Sequence, residues 1–383
     1  MATPVWFTFG FEGVGPVQKQ QNSEALRPRP LSLGGSETSR QRLCKLRPSW
    51  SYTAALTGDG YVILSGFVGG SPQQSVCLPG GGCRDLLTSE KYLLLLYKDR
   101  VECWDTGSLG SAGLHGEPVW KMELSEDEDS AFPAVSTGYV SPKPPFFKAF
   151  PHQLRVCKLA LGGEHALLLS SQWTVYAWGS GRHGQLGHGG LEDVLEPRTV
   201  EALHGVLMGD VAAGGWHSVS VSEAGDIYVW GWNESGQLGL PCKRLARVTE
   251  RTALLKEETG VGSNAVESSH GEEAQKASEN ISVEFISIQA FPALLDLPEG
   301  AAAHKASCGS RHTAVVTRNG SLCTWGWGSY GQLGHGNTAS SDQPKLLKYF
   351  SQHQLHVQDV VCGTWSTFVL CHLKENEPRQ FGL

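Results

Sequence analysis

Short apolar runs alternate with glycine-centred turns along most of this 383-residue chain. After His165 comes Ala166-Leu167-Leu168-Leu169, then a polar turn, then Thr174-Val175-Tyr176-Ala177-Trp178. Apolar runs of this length between turn signals predict two strands joined by a tight connection. The runs are apolar nearly throughout rather than alternating, which suits a sheet covered on both faces. The pattern then returns in register. Gly162, His165, Trp178-Gly179 and Gly184-Gln185-Leu186-Gly187 recur as Gly214, His217, Trp230-Gly231 and Gly236-Gln237-Leu238-Gly239, and again as Gly309, His312, Trp325-Gly326 and Gly331-Gln332-Leu333-Gly334. His to Trp is 13 positions in every copy, and Trp to the next motif glycine is 6. Three copies with a period of about 50 residues indicate a repeat architecture.

Weaker copies extend the pattern. Gly60 to Gly66 overlays Gly225 to Gly231, with Tyr52 in the His position. Tyr92 to Leu96 followed by Val101 to Asp105 is a second degenerate copy, and Gly363-Thr364-Trp365-Ser366 opens a last one. That last copy ends without its Trp-Gly strand, and Trp6-Phe7-Thr8-Phe9-Gly10 supplies it. Glu196 to Val200 and Gln343 to Leu347 read as outer strands, with proline where an edge tolerates it. The predicted fold is all-β: a single closed β-propeller of six or seven four-stranded blades over 1–383, its last blade completed by the N-terminal strand. Closure would remove a free sheet edge. The strong repeats are 156–205, 206–240 continued at 285–300, and 304–350. The weaker ones are 46–85 and 86–120, and the shared blade combines 357–373 with 5–17. Six blades are legible.

Three stretches read as insertions: 18–48, 121–155 and 241–284. The first holds seven Lys and Arg against two Glu, so +5, and is either a solvated loop or a patch for an acidic partner. The second opens with an acidic run from Glu123 to Asp129. It continues as Tyr139-Val140-Ser141-Pro142-Lys143-Pro144-Pro145-Phe146-Phe147-Lys148. Its prolines make it extended. Its aromatics either staple it to the propeller or form a peptide offered to a partner groove. Tyr139, Val140, Pro142, Lys143, Phe146, Phe147 and Lys148 are therefore candidate partner-binding residues. The third, mixed in charge and rich in Ser, Ala and Gly, reads as a disordered excursion.

Composition narrows the function. A net charge of −7 with no long basic tail argues against holding DNA by phosphate contacts alone. No apolar run approaches 18 residues, and no N-terminal stretch reads as a signal. The ten cysteines fall in no zinc spacing and read as small buried hydrophobes of a reducing compartment. Gly179-Ser180-Gly181-Arg182-His183-Gly184 has the form GxGxxG, but no helix follows to bind a dinucleotide. His165, His217 and His312 occupy one slot three times, as do Trp178, Trp230 and Trp325, so both sets are read as structural. Residues that break the repeat make better site candidates: Arg182 and His183 in the GxxG loop are candidate partner-binding residues, whereas Trp216, Trp365, Trp232 and Trp327 beside the motif positions could anchor a partner but are expected mainly to pack blade against blade. No metal site, cofactor or catalytic set is expected, and the chain is read as non-enzymatic.

The Gly-x-x-His-Ser/Thr, Trp-Gly and Gly-Gln-Leu-Gly motifs resemble those of the regulator of chromosome condensation repeat family of β-propellers. The resemblance covers nearly the whole chain apart from the three insertions. Such rings usually carry seven blades, so either one is too worn to read or this ring is smaller. The resemblance implies a monomeric, chromatin-associated adaptor of the nucleus and chromosome. Its implied partner is a JmjC-domain oxygenase of the histone lysine demethylase type, with roles in histone methylation at centromeric repeats and mitotic chromosome segregation. The N-terminal half, where the blades depart most from the repeat, would dock it, and histones or the nucleosome are further candidate partners. No membrane and no sequence-specific nucleic acid are expected. The alternative is a guanine-nucleotide exchange factor for a small GTPase, as the family's founder is, but the founder's wedge and basic arm have no counterpart here. A tryptophan-based light sensor is a third reading, weakened because no Gly-Trp-Arg-His is found intact.

Overall fold

The computed structural model of the chain describes residues 4–11, 26–31, 42–68, 71–78, 80–110, 113–114, 116–124, 132–135, 137–151, 154–247 and 284–374. The acidic run at 125–130 and most of the stretches 18–48 and 241–284 lie outside those residues.

Among the described residues, seven antiparallel sheets follow one another around a ring, six of four strands and one of three. Blade 1 comprises Leu43–Pro48, Tyr52–Thr57, Val62–Val68 and Ser71–Cys77. Blade 2 comprises Asp85–Thr88, Tyr92–Leu96, Arg100–Asp105 and Trp120–Glu123. Blade 3 is the three-stranded sheet of Ala134–Val135, Gly138–Val140 and Phe147–Ala149. Blade 4 runs from Val156–Leu161 through His165–Ser170 and Val175–Gly179 to Val194–Thr199. Blade 5 holds Met208–Ala213, His217–Ser222, Ile227–Trp232 and Ile288–Leu295, and blade 6 holds Ala303–Cys308, His312–Thr317, Leu322–Gly326 and Ser341–Leu346. Blade 7 joins Leu355–Cys362 and Ser366–Leu373 to the N-terminal strands Val5–Gly10 and Arg29–Pro30.

The ring has seven blades, not the six legible in the sequence. The added one lies inside 121–155, the stretch read as an insertion. It carries no repeat motif, and its place in the ring comes from packing. Phe132, Val135 and Val140 bury against Leu94, Leu96, Val101 and Cys103 of blade 2. Tyr139 buries against Leu159, Ala166, Leu168 and Trp178 of blade 4.

Each pair of neighbouring blades shares one apolar cluster, and seven such clusters complete the circle. The closing pair is explicit. Trp6 and Phe368 of blade 7 pack on Leu46, Ala55 and Ile63 of blade 1. Strand Val5–Gly10 pairs with Ser366–Leu373 over six residues, from Val5–Cys371 to Gly10–Ser366. An apolar strand covered on both faces and paired on both edges is what the near-continuous apolar runs encode.

In blades 5, 6 and 7, the first strand packs against the first two strands of the blade before it. In five of the first strands the register shifts just before a charged residue: Lys45, Lys158, Asp210, Lys305 and Asp359. These five side chains and Asp85 of blade 2 make ion pairs across seams between blades. Lys45 bonds Asp85 at 2.8 Å, Lys158 bonds Asp210, and Lys305 bonds Asp359 at 2.5 Å. Blades 1 and 2, 4 and 5, and 6 and 7 are thereby matched by charge.

Candidate interaction face

The repeat histidines are interblade fasteners. His165 Nε2 lies 2.8 Å from Ser218 Oγ of the next blade, His217 Nε2 lies 2.9 Å from Thr313 Oγ1, and His312 Nε2 lies 3.1 Å from Thr367 Oγ1. Each hydroxyl in turn donates to a glutamine backbone carbonyl of the histidine's own blade: Gln185 at 2.7 Å, Gln237 at 2.8 Å and Gln332 at 2.8 Å. With its proton committed there, the hydroxyl accepts from the ring, so Nε2 carries the hydrogen. Burial pushes the three imidazoles down, to about 4 for His165, about 3 for His217 and about 4 for His312. They are neutral near pH 7. The first glycine of each Gly-x-x-His is set by the ring: a Cβ on Gly214 would meet His217 Cε1 at 2.3 Å.

The repeat tryptophans complete this seam. Trp230 and Trp325 are fully buried, and their Nε1 atoms donate to the carbonyls of Gln185 and Gln237 at 2.8 and 3.0 Å. Trp178 meets blade 3 instead, and donates to Tyr139 Oη at 3.1 Å. Tyr52 holds the His position in blade 1 and donates to Ser89 O of blade 2 at 2.9 Å.

The structure divides the candidate partner residues. Tyr139 and Val140 are buried in the seams on either side of blade 3, where no partner can reach them. Phe146 stands edge-on to Tyr92 at 5.0 Å and lies 5.8 Å from Trp120, and it and Phe147 are half-buried against the core between blades 2 and 3. These aromatics pack blade 3 to its neighbours. Half-buried Pro142 and exposed Lys143 sit in the turn joining the last two strands of blade 3, and Lys148 is exposed beside it. Lys143 Nζ donates to Gly163 O at 3.1 Å, which ties that turn to the ring face where the histidine strands begin. Arg182 is exposed on the same face, and half-buried His183 stacks 5.4 Å from Trp216 and 5.8 Å from Trp232.

These last two rings belong to a larger feature. In six blades the residue after the Trp-Gly glycine, or after the residue in its place, donates its N–H to the residue before the His position. The pairs are Phe67 to Ser51, Thr106 to Lys91, Ser180 to Glu164, Trp232 to Trp216, Trp327 to Arg311, and Phe11 to Trp365, all at 2.8–2.9 Å. The two slots are thus neighbours on one face in every copy. In blades 2 and 4 both are polar, whereas blades 5, 6, 7 and 1 fill them mainly with aromatics.

Along that arc the rings touch. Trp216 and Trp232 meet at 5.2 Å, Trp327 and Trp365 at 4.6 Å, and Tyr330 lies 5.1 Å from Trp327 and 5.6 Å from Phe11. The Arg311 guanidinium stacks over Trp232 at 4.7 Å, and Glu164 accepts from Trp216 Nε1 at 3.3 Å. Trp365 takes the place in blade 7 that Arg311 holds in blade 6. In blade 1, Phe67 is exposed in the same slot, and Trp50, next to the Ser51 slot, is 58 % exposed. The Trp50 turn is clamped by Glu90, which accepts from Ser49 Oγ, Trp50 N, Ser51 N and Ser51 Oγ at 2.5–3.1 Å. Burial opposes ionisation of Glu90, but these donors outweigh it and hold the carboxyl below its usual value. The signal for the arc was present in the sequence as Phe11, Phe67 and Tyr330, but only the ring brings them beside the tryptophans.

A rigid, half-exposed array of Trp, Tyr, Phe and Arg has the composition of binding hot spots. Among the described residues no cluster of three or more His, Cys, Asp and Glu could hold a metal ion. No described helix is long and apolar enough to cross a membrane.

Residues 174–221, 224–251 and 319–370 match one family model of the regulator of chromosome condensation (RCC1) repeat, and 156–185, 210–237 and 304–332 match a second. The chain is 46% identical to mouse RCC1 domain-containing protein 1 over 95% of its own length and 96% of that protein. It is 45% identical to the human protein of that name over the same shares. The fold is similar to the crystal structure of Prp20p from Saccharomyces cerevisiae, with a TM-score of 0.69 at 17% identity, covering 98% of this chain and 93% of that one. That structure was described together with the binding of Prp20p to Gsp1p and histones.

Proposed function

We propose that this chain, which belongs to the regulator of chromosome condensation repeat family, is a non-enzymatic adaptor of nuclear chromatin. In this reading it partners a JmjC-domain oxygenase of the histone lysine demethylase type. It thereby regulates histone methylation at centromeric repeats and mitotic chromosome segregation. The partner's identity rests on the likeness to RCC1 domain-containing protein 1. Histone contact is a further element of the proposal, supported by the histone binding of Prp20p.

The observation that carries an adaptor role is the half-ring of aromatics. The same two slots hold Lys91 and Thr106, or Glu164 and Ser180, on the other half of the face. The fold therefore does not require Trp216, Trp232, Trp327 or Trp365 there, and a contiguous patch of partly exposed rings is the mark of an interaction surface. Docking belongs on this arc rather than on Phe146 and Phe147, which are committed to the seam between blades 2 and 3. The turn bearing Lys143 lies on the same face and can border the interface.

The test is capture from nuclear extract with mass-spectrometric identification. Three baits of matched melting temperature are compared: the intact chain, Trp327→Ala/Trp365→Ala, and Lys143→Ala. The reading expects a JmjC-domain oxygenase on the intact bait and its loss from the double variant. Equal recovery on both would move docking off the arc, and its absence from the intact bait would overturn the partnership.

A further inference from the structure

A cleft of about 640 Å³ opens at the seam of blades 6 and 7, away from the aromatic arc. The segment around Arg27 and Pro28, the end of the outer strand of blade 6 and the helix Lys348–Gln352 form its walls. Its charged lining is Arg27, Lys345 and Lys348, with His335 beside them and no Asp or Glu. No ion pair engages those three cations among the described residues.

The site is built rather than incidental. Gly336 N donates to Leu26 O at 2.9 Å, which pins the segment across blade 6. Arg27 lies directly over that glycine: a Cβ on Gly336 would come within 2.9 Å of Arg27 Nε. His335 is oriented from below, its Nε2 lying 3.0 Å from Thr324 Oγ1, which donates to Leu333 O at 2.7 Å.

The repeat itself provides the comparison. Lys345 pairs with Thr324 as Arg198 pairs with Ala177 in blade 4 and Ala293 with Val229 in blade 5. Three residues on, Lys348 corresponds to Glu201 and Asp296. At the seam of blades 4 and 5, the glycine equivalent to Gly336 is Gly189, which is covered by Phe291 instead of an arginine. That seam therefore carries Arg198, Glu201 and Phe291, with no net charge. The seam of blades 6 and 7 carries +3 with the same backbone. The charge is not needed for closing blades.

We propose that this cleft binds a phosphorylated peptide segment of a partner protein. Arg27, Lys345 and Lys348 take the phosphate, and Pro344, Leu346 and Tyr349 take a flanking apolar side chain. A phosphomonoester, with a charge of about −1.5 to −2, matches three cations lining one cleft better than a single carboxylate does. The cleft is far larger than a phosphate ion, and its walls mix cations with apolar side chains, which suits a peptide.

The test immobilises the full chain at about 0.15 M salt, where exposed charges are screened beyond roughly 8 Å. It compares two degenerate nonapeptide libraries, one with central phosphoserine and one with serine. We expect at least tenfold greater retention of the phosphorylated library. Lys345→Glu/Lys348→Glu should abolish that preference at unchanged melting temperature, and Lys345→Gln/Lys348→Gln should weaken it. Arg198→Glu, the counterpart of Lys345→Glu at the neutral seam, should leave it intact. Equal retention of both libraries, or an undiminished preference in the Lys345/Lys348 variants, would overturn the proposal. So would a cleft that takes inositol hexakisphosphate but no phosphopeptide.

Discussion

His217 Nε2 and Thr313 Oγ1 lie 2.9 Å apart across the seam of blades 5 and 6, and the same hydroxyl donates to Gln237 O at 2.8 Å. One buried hydroxyl thus satisfies a ring nitrogen and a carbonyl from the preceding blade. Thr313→Val keeps the shape and removes the oxygen. It leaves the His217 N–H without an acceptor in a site shielded from water, at a cost of about 2–3 kcal/mol. Denaturant unfolding measures it, and a loss under about 0.5 kcal/mol would show that the relay is not a fastener.

The three buried imidazoles make the fold acid-sensitive in a defined window. Their folded values, about 4, 3 and 4, lie below the ordinary histidine value of 6.5. The unfolded chain therefore binds protons first. Stability is fully present above about pH 6.5 and falls as pH drops toward 4, by on the order of 3 kcal/mol per ring. Melting temperature followed from pH 7.5 to 4.5 should decline steadily, and His217→Gln should make the decline shallower. A flat profile would contradict the assignment of neutral, desolvated rings.

Trp230 is fully buried in the cluster shared by blades 4 and 5, and its Nε1 donates to Gln185 O. Trp230→Ala removes that packing and leaves a cavity, for a loss on the order of 3–5 kcal/mol. An unchanged melting temperature would remove this residue from the core.

Deleting residues 1–11 takes away strand Val5–Gly10 with Trp6, Phe7 and Phe9, which fill both seams of blade 7. It also bares an edge of the strand Ser366–Leu373. The expected result is loss of cooperative unfolding together with aggregation, read by calorimetry and light scattering. A monomer melting like the intact chain would refute closure by the N-terminal strand.

The strong repeats were legible because their parts depend on one another. The histidine needs a hydroxyl one residue after the His position of the next blade, the hydroxyl needs the glutamine carbonyl, and the tryptophan needs that same carbonyl. Such mutual dependence leaves a fixed spacing in the chain. Closure was legible too, since Trp6 to Gly10 carries the missing half of a copy that opens at Gly363. Blade 3 was not legible. Val140 and Phe146 reach its neighbours by packing, and Tyr139 by packing and one side-chain hydrogen bond from Trp178, none of which leaves a repeated spacing, and the prolines around them read as a loop. The aromatic arc was partly legible, since Trp216, Trp232, Trp327 and Trp365 stand out as departures from the repeat. Phe11 and Trp365 come from opposite ends of the chain, and only the closed ring makes them neighbours.

The central claim is that the arc serves binding while the seams serve folding. The most direct measurement is a calorimetric titration of the purified JmjC-domain oxygenase into the intact chain, Trp327→Ala/Trp365→Ala and Phe146→Ala, with melting curves of each. The account expects the arc variant to lose at least tenfold in affinity, about 1.4 kcal/mol or more, while its melting temperature stays near that of the intact chain. It expects Phe146→Ala to bind normally and melt earlier. The reverse pattern, with the arc variant binding normally and Phe146→Ala losing the partner at unchanged stability, would contradict it.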